Sequence, residues 1–207
     1  HMTTTTAQAP AVLSHLEYYL QVVWPELNVN VVSTTEQWAG AAIAGPKSRE
    51  LLSKLFSDKD ISNEGLPFMG YMEADLFGIP ARIFRISFSG ELAYEINVAS
   101  DFGTFMWEKT IEQGQQFNIQ PYGTEALSNL RIEMGHVAGP ELDGRTIPYD
   151  VSLEGLVSKK KDFVGKRSLN RKAFTSSTRQ RVVGLVPIDK KTVIPEGSHL
   201  VKDAKAK

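Results

Sequence analysis

The sequence has no cysteine among its 207 residues. Disulfides, thiolate metal sites and cysteine nucleophiles are therefore excluded, and the composition fits a reducing compartment such as the cytoplasm. No apolar run approaches the roughly 18 residues that a membrane-spanning helix needs. We therefore expect a cytoplasmic protein with no membrane partner and no signal peptide.

A large net charge is also lacking. The chain carries 23 Lys and Arg against 24 Asp and Glu, a formal net charge of −1, which gives no electrostatic reason to expect nucleic acid as a partner. His15, His136 and His199 do not stand at metal-ligand spacing, and no phosphate-cradling glycine loop or Gly-x-Ser-x-Gly elbow occurs. We therefore expect no metal, nicotinamide or flavin site in these residues.

The apolar and charged fractions, 42% and 23%, are those of a soluble globular protein. Apolar spacing predicts helices over residues 10–23, after Gly45-Pro46, after Asp101, over about 123–134 and over 166–174. Alternation predicts strands over residues 29–33, 38–44, 71–77, 80–88, 93–98 and 182–188, and a strand end over 3–6. This order favours an α+β fold with a largely antiparallel sheet.

The stretch from Ser87 to Asn97 places two carboxylates, Glu91 and Glu95, around a glycine turn at Gly90. The pattern predicts strand, tight turn and strand, with a carboxylate held at the mouth of a sheet. A carboxylate can accept two neighbouring N–H donors, and each such charge-assisted bond is worth ~1.5–3 kcal/mol. The 2-amino-4-oxo edge of a pterin offers that pair of donors.

The segment Phe-Ser-Gly-Glu-Leu-Ala-Tyr-Glu over residues 88–95 resembles the Tyr-Thr-Gly-Glu-x-Gly-x-Glu motif of the folate-binding aminomethyltransferase family, whose type member is the glycine-cleavage T-protein. In that motif the second Glu binds the pterin, so the resemblance implies this role for Glu95. Phe88 stands where the family commonly has Tyr, which removes a hydroxyl. The resemblance also makes Phe88, Glu91, Tyr94 and Thr5 candidate folate-binding residues.

Three further stretches are similar to the same family. Leu-Arg-Ile-Glu-Met-Gly over residues 130–135 matches its Leu-Arg-Leu-Glu-x-Gly motif, and Asp-Phe-Val-Gly-Lys over 162–166 matches the opening of its last domain. Pro-Tyr-Gly-Thr-Glu-Ala over residues 121–126 is typical of the sarcosine oxidase α-subunit branch. T-proteins have an Arg-Asp pair before Leu-Arg, where this chain has Leu127-Ser128, which also favours that branch.

The resemblance implies a domain organisation. Residues 1–2 are interpreted as a cloning remnant, residues 3–145 as the folate-binding α+β domain, and residues 146–207 as a crossing segment and the start of a C-terminal β domain truncated at its end. The family's acidic residue near the folate N5 lies before the Thr run. We therefore expect no catalytic residue in this chain, and we expect the isolated fragment to be inactive.

The implied function belongs to a complete complex. The domain would take the one-carbon unit from sarcosine oxidation onto tetrahydrofolate, giving 5,10-methylenetetrahydrofolate, as part of a heterotetramer with other sarcosine oxidase subunits. FAD, FMN and NAD are expected elsewhere in that complex. One alternative is a free-standing aminomethyltransferase or demethylase. A second is a non-catalytic folate-binding scaffold of the iron–sulfur assembly type, whose Lys-Gly-Cys-Tyr motif needs the cysteine that is missing here.

Overall fold

A computed structural model describes residues 1–195 and 197–201. The chain divides into two compact units, His1–Met134 and Gly135–Lys207. The first unit holds a sheet and the longer helices, and the second consists mainly of loops and short helical turns.

The sheet has four strands: β1 is Trp38–Ala44, β2 is Tyr71–Leu76, β3 is Ile79–Phe84 and β4 is Ala93–Ala99. Their order is β1-β4-β3-β2, and every neighbouring pair is antiparallel. The β2–β3 hairpin turns on Phe77 and Gly78, which both have positive φ, as a two-residue turn between twisted strands requires. The predicted α+β fold with a largely antiparallel sheet is confirmed.

Four longer helices belong to the first unit: α1 is Ala9–Tyr18, α2 is Ser48–Leu55, α3 is Gly103–Gly114 and α4 is Thr124–Met134. A single π-helical segment, Tyr19–Val23, extends α1. Pro10 lies in the first turn of α1, where its missing N–H costs no hydrogen bond. Gly135 ends α4 with a φ of 82°, the left-handed position that glycine adopts without strain. In the second unit, α5 is Lys172–Thr175.

One face of the sheet and helices α2 and α3 enclose the hydrophobic core. Along β4, Tyr94, Ile96 and Val98 are each 0% exposed, because alternate residues of a strand point to the same face. They pack with apolar side chains of α2 and α3, among them Leu51, Leu52, Leu55 and Met106. Full burial of each such side chain contributes about 1.5–3 kcal/mol to the free energy of folding. Burial of these side chains therefore determines which face of the sheet packs against the helices.

The opposite side of the sheet is not covered by α2 or α3, and we call it the open face. By strand alternation and register it carries Gly40, Ala42, Arg82, Phe84, Glu95 and Asn97. These residues are exposed or only partly buried, in contrast to their neighbours on the core face.

Several predicted elements are wrong. No strand forms over residues 3–6, 29–33 or 182–188, and β3 ends at Phe84 rather than at residue 88. A strand needs a neighbour for its backbone hydrogen bonds, and alternation alone supplies none; Val182, for example, donates its N–H to the carbonyl of Asp150, 2.8 Å away. The helix expected over 166–174 is instead a 3₁₀ turn, Ser168–Asn170, followed by α5.

The second unit is held together at Asp150, whose side chain is buried. Its carboxylate accepts hydrogen bonds from the backbone N–H of Ile147 at 3.0 Å and from Nε and Nη2 of Arg179, the first of these at 2.7 Å. Among the residues that the structure describes, no strand follows Ala99, and the division into domains at residue 145 stays a prediction. No helix in the described ranges has both the length and the apolar character that a membrane crossing requires.

Candidate functional site

Glu95 lies on β4 in the interior of the sheet. Its neighbours across the strands are Ala42 on β1 and Phe84 on β3. Strand β4 is paired on both sides, so its backbone is fixed by two hydrogen-bonded ladders. The sheet therefore holds the Glu95 carboxylate on the open face from a rigid element, and not at the mouth of the sheet.

Small residues and one amide border Glu95 on the β1 side. Gly40 and Ala42 leave this part of the open face flat, and both are exposed. Asn97, two residues along β4, lies over Gly40: a Cβ added to Gly40 would be 3.0 Å from Asn97 Oδ1. The carboxylate thus adjoins a shallow surface whose nearest side chain on β1 is a single methyl group.

Aromatic rings occupy the other side of Glu95. The ring of Phe84, on β3, lies 5.1 Å from that of Tyr71 on β2. The guanidinium of Arg82, also on β3, lies 3.9 Å from the centre of the ring of Trp38, which belongs to β1. The imidazole of His1 stacks on Phe84 at 5.9 Å. A planar ligand placed on the small residues would therefore meet an aromatic wall at Phe84.

The electrostatics of Glu95 set it apart from the other acids of the sheet. No hydrogen bond or ion pair engages its carboxylate within the part of the chain that the structure describes. Burial raises the pKa of Glu95 above its usual value, because the charged form loses water and gains no partner in exchange. A ligand with two N–H groups would supply the missing hydrogen bonds at both oxygens.

The remaining candidate residues do not all join Glu95. Tyr94 is 0% exposed and faces the core, on the opposite side of β4, and its hydroxyl is buried without a hydrogen-bond partner in the described ranges. Tyr94 is therefore a core residue, because neighbours along a strand point to opposite faces. Thr5 lies in an exposed N-terminal segment, where its carbonyl accepts the N–H of Gln8 at 2.9 Å.

Phe88 and Glu91 lie on the connection between β3 and β4, outside the sheet. Phe88 is 46% exposed and Glu91 is exposed. Gly90 has a φ of 83°, and a Cβ there would be 2.8 Å from the sulfur of Met134 at the end of α4. Glycine is therefore required at position 90 for two reasons: the backbone has a positive φ there, and α4 lies too close to leave room for a Cβ.

Two contacts fasten the end of this connection to β1 and α2. The carbonyl of Leu92 accepts hydrogen bonds from the Gly45 N–H at 2.9 Å and from the Ser48 hydroxyl at 2.8 Å. Ser48 is buried, so this bond is shielded from water. Glu91 and Glu95 thus flank an anchored turn, but only Glu95 lies in a strand.

Arg131 and Glu133, from the second motif, are positioned by α4. Arg131 is 8% exposed and Glu133 is exposed. Sequence reasoning missed the neighbours of Glu95, namely Ala42, Phe84 and Asn97. Period-two alternation could have placed Asn97 beside Glu95, whereas Ala42 and Phe84 depend on strand pairing that a single sequence does not reveal.

A groove of about 780 Å³ runs along the outer edge of β1, between that strand, α3 and residues 117–127. It is mainly apolar, and Glu95 does not line it. The buried Thr110 hydroxyl that borders this groove has no hydrogen-bond partner among the described residues. Gly40 and Ala42, which border Glu95 on the open face, also line the groove, so the two features adjoin along β1.

Residues 1–161 match the GCVT N-terminal domain family. The chain belongs to that family. The motif residues 88–95 and 130–135 lie within the matched range, so Glu95 and its turn are part of the GCVT domain itself.

Relatives of this GCVT domain include sarcosine oxidase subunit alpha of Rhizobium meliloti (strain 1021), 47% identical over 97% of the chain and 20% of the relative's length. The subunit alpha of Corynebacterium sp. (strain P-1) is 47% identical over 98% of the chain and 21% of its own length. An aminomethyltransferase of Chloroherpeton thalassium (strain ATCC 35110 / GB-78) is 31% identical over 86% of the chain and 48% of its length. The predicted resemblance to sarcosine oxidase α subunits is confirmed, and the chain spans about a fifth of their length.

Proposed function

We propose that this GCVT domain binds tetrahydrofolate on the open face of the sheet, with Glu95 accepting two hydrogen bonds from the pterin edge. The observation that carries the proposal is a partly buried carboxylate that has no hydrogen-bond partner in the described part of the chain and adjoins a flat surface of small residues. A pterin is planar and presents neighbouring N–H groups, so it matches both properties. Phe84 would border the ring on the β3 side.

The domain's part in a larger protein follows from its relatives. Sarcosine oxidase α subunits are similar along nearly the whole chain. We propose that the complete protein is an oxidoreductase of this kind, located in the cytoplasm and assembled from several subunits. Sarcosine would be oxidised at a flavin outside these residues, with FAD, FMN and NAD bound elsewhere in the complex.

The proposed reaction of the folate site is condensation. The one-carbon unit released by sarcosine oxidation, at the oxidation level of formaldehyde, would bond to N5 and N10 of tetrahydrofolate with loss of water, giving 5,10-methylenetetrahydrofolate. Glu95 would bind and orient the pterin in this scheme. That the 207-residue chain is inactive alone stays a prediction, which an assay of methylenetetrahydrofolate formation from formaldehyde and tetrahydrofolate checks against a protein-free control.

The binding role of Glu95 can be tested by calorimetric titration with tetrahydrofolate. Glu95→Gln keeps the shape but places an N–H₂ where an acceptor oxygen stood, against a ligand N–H. We expect a loss of ~1.5–3 kcal/mol, about ten- to a hundredfold in Kd. Glu50→Gln is the matched control, since Glu50 is an exposed acid of α2, which packs on the opposite face of the sheet. Equal affinity in the wild type and Glu95→Gln would show that this carboxylate does not bind the pterin.

A free-standing aminomethyltransferase is the second candidate, supported by the similarity to the Chloroherpeton thalassium enzyme. Leu127-Ser128 stands where those enzymes have Arg-Asp, and Leu127 is partly buried in α4. Transfer of an aminomethyl group to tetrahydrofolate, measured with the complete protein, separates this candidate from an oxidase-linked condensation.

A further inference from the structure

The second unit contains a polar cavity that the folate site does not use. It has a volume of about 350 Å³, in the range of small-ligand sites, and lies between the Pro148–Val151 turn and the segment after α5. The cavity is lined by Tyr149, Asp150, Asn170, Ser177, Arg179 and Arg181, together with Leu169, Phe174 and two further hydroxyl residues.

The ion pair in this cavity leaves no free negative charge there. Asp150 is the acid of the lining, and Arg179 binds it with two hydrogen bonds. Arg179 also donates to the carbonyls of Ala173 and Arg145, each at 3.1 Å. Both partners are therefore occupied by each other and by the backbone, so the pair builds the cavity wall instead of offering a charge to a ligand.

Arg181 is the second cation of the lining, and unlike Arg179 it is not hydrogen-bonded to Asp150. Its side chain makes no hydrogen bond or ion pair in the part of the chain that the structure describes. It lies close enough to Asp150 to act on that carboxyl electrostatically. Since Arg179 already neutralises Asp150, the cavity as a whole carries one uncompensated positive charge.

Uncharged donors complete the lining. Tyr149, Asn170 and Ser177 line the same cavity, and within the described ranges no side-chain polar group of these three residues has a hydrogen-bond partner. The surrounding unit is basic as well: Gly135–Lys207 holds fifteen Lys and Arg against eight Asp and Glu. A cleft within a basic unit concentrates positive potential and attracts anions.

We propose that this cavity is a binding site for a small oxyanion, a carboxylate or a phosphate, held by the Arg181 guanidinium and by hydrogen bonds from Tyr149, Asn170 and Ser177. A guanidinium presents two parallel N–H groups that match either oxyanion. The site lies wholly within the second unit and does not depend on folate binding by the first.

Titration of the 207-residue chain with inorganic phosphate and, separately, with glutarate tests this proposal, with NMR or calorimetry at constant ionic strength set by sodium chloride. Saturable binding is expected for at least one probe, and the stronger one identifies the source of the oxyanion. Arg181→Gln should weaken it at least tenfold. Arg167→Gln, an exposed cation outside the cavity, is the matched control and should change it less than twofold.

Three results would overturn the proposal: no saturable binding of either probe, equal weakening by Arg181→Gln and Arg167→Gln, or full retention of binding in Arg181→Gln. Arg181 makes no hydrogen bond with the described residues, so its variant should fold. If it does not, Tyr149→Phe removes only one hydroxyl and serves in its place, with an expected loss of at least threefold. Unchanged binding in that folded variant would likewise count against the site.

Discussion

Glu95 and Ala42 stand opposite each other in the register of β4 and β1. The partner of the carboxylate across the sheet is therefore a methyl group, in a position where an antiparallel sheet commonly pairs opposite charges or two large side chains. Ala42 is itself exposed, so the space above it is open. This pairing leaves Glu95 without a hydrogen-bond partner among the described residues and leaves room beside it for a flat ligand.

Ala42→Leu should fill that space. We expect at least a tenfold loss of tetrahydrofolate affinity, because the isobutyl group would occupy the surface on which the pterin is proposed to lie. Stability should change by less than about 1 kcal/mol, since the position is exposed and leucine is tolerated in strands. Calorimetry and urea unfolding measure the two effects. Ala11→Leu adds the same bulk to the exposed side of α1 and should leave affinity unchanged; equal losses in both variants would contradict a site at Ala42.

The fold class and most element positions could be predicted from periodicity. Strands β1, β2 and β4 lie within one residue of their predicted bounds, because alternation of buried and exposed residues follows directly from strand geometry. The segment 29–33 has the same alternation and yet forms no strand. Alternation of apolar and polar residues shows only that a segment is compatible with a strand. The strand forms where a neighbouring strand supplies partners for its backbone hydrogen bonds.

The candidate site was predictable only in part. The motif pointed to Glu95, but it also drew attention to Tyr94, which lies on the other face. The residues that shape the surface, Ala42 and Phe84, are 53 and 11 positions away in sequence and meet Glu95 through register. Register depends on the whole sheet, so one sequence without its pairing could not supply these neighbours.

Glu95→Gln should make the protein more stable at neutral pH when no ligand is present. Burial raises the pKa of Glu95 in the folded state, so folding carries a cost when the carboxylate is ionised. The cost is present above the raised pKa and disappears as pH falls below the ordinary value of 4.5. The stability difference between variant and wild type should therefore shrink between pH 7 and pH 4, as urea midpoints will show. A variant less stable than wild type at pH 7 would mean that the carboxylate has a stabilising partner.

Ile96→Ala should destabilise the first unit by about 2–5 kcal/mol. Ile96 is 0% exposed, and its truncation loses transfer free energy and leaves a cavity against α2 and α3. Asn97→Ala, one residue further along, changes the open face and should cost about 0.5 kcal/mol or less. Chemical unfolding of both variants tests the assignment of faces. Similar losses in the two would show that the open face is covered.

Gly90→Ala should destabilise the turn before β4 by about 1–2 kcal/mol. The positive φ disfavours any Cβ, and the new methyl carbon would lie within 3 Å of the Met134 side chain. Gly123→Ala is the matched control, because a Cβ there meets nothing within 4 Å and its φ is not positive. Thermal unfolding should separate the two variants. If Gly90→Ala is as stable as the control, α4 does not pack on this turn.

In the part of the chain that the structure describes, Asp150 and Asp143 are the two acids whose carboxyl pKa a hydrogen-bonded arginine lowers to about 2. Asp143 pairs with Arg145, two residues away, and the two side chains are 44% and 92% exposed; Asp150 pairs with Arg179, 29 residues away, and these are 12% and 24% exposed. A contact between residues close in sequence can persist in the unfolded chain, whereas the Asp150–Arg179 pair exists only when the unit is folded. Only protonation of Asp150 is therefore strongly linked to folding.

The stabilisation from Asp150 should be complete above its unfolded pKa of about 3.8 and should be lost as pH falls toward 2. Asp150→Asn should therefore lower the protection of second-unit amides from hydrogen exchange at pH 6, with a difference from wild type that diminishes below pH 4, and Asp143→Asn should change it little at either pH. An equal effect of the two substitutions would mean that the Asp150–Arg179 pair does not hold this unit together.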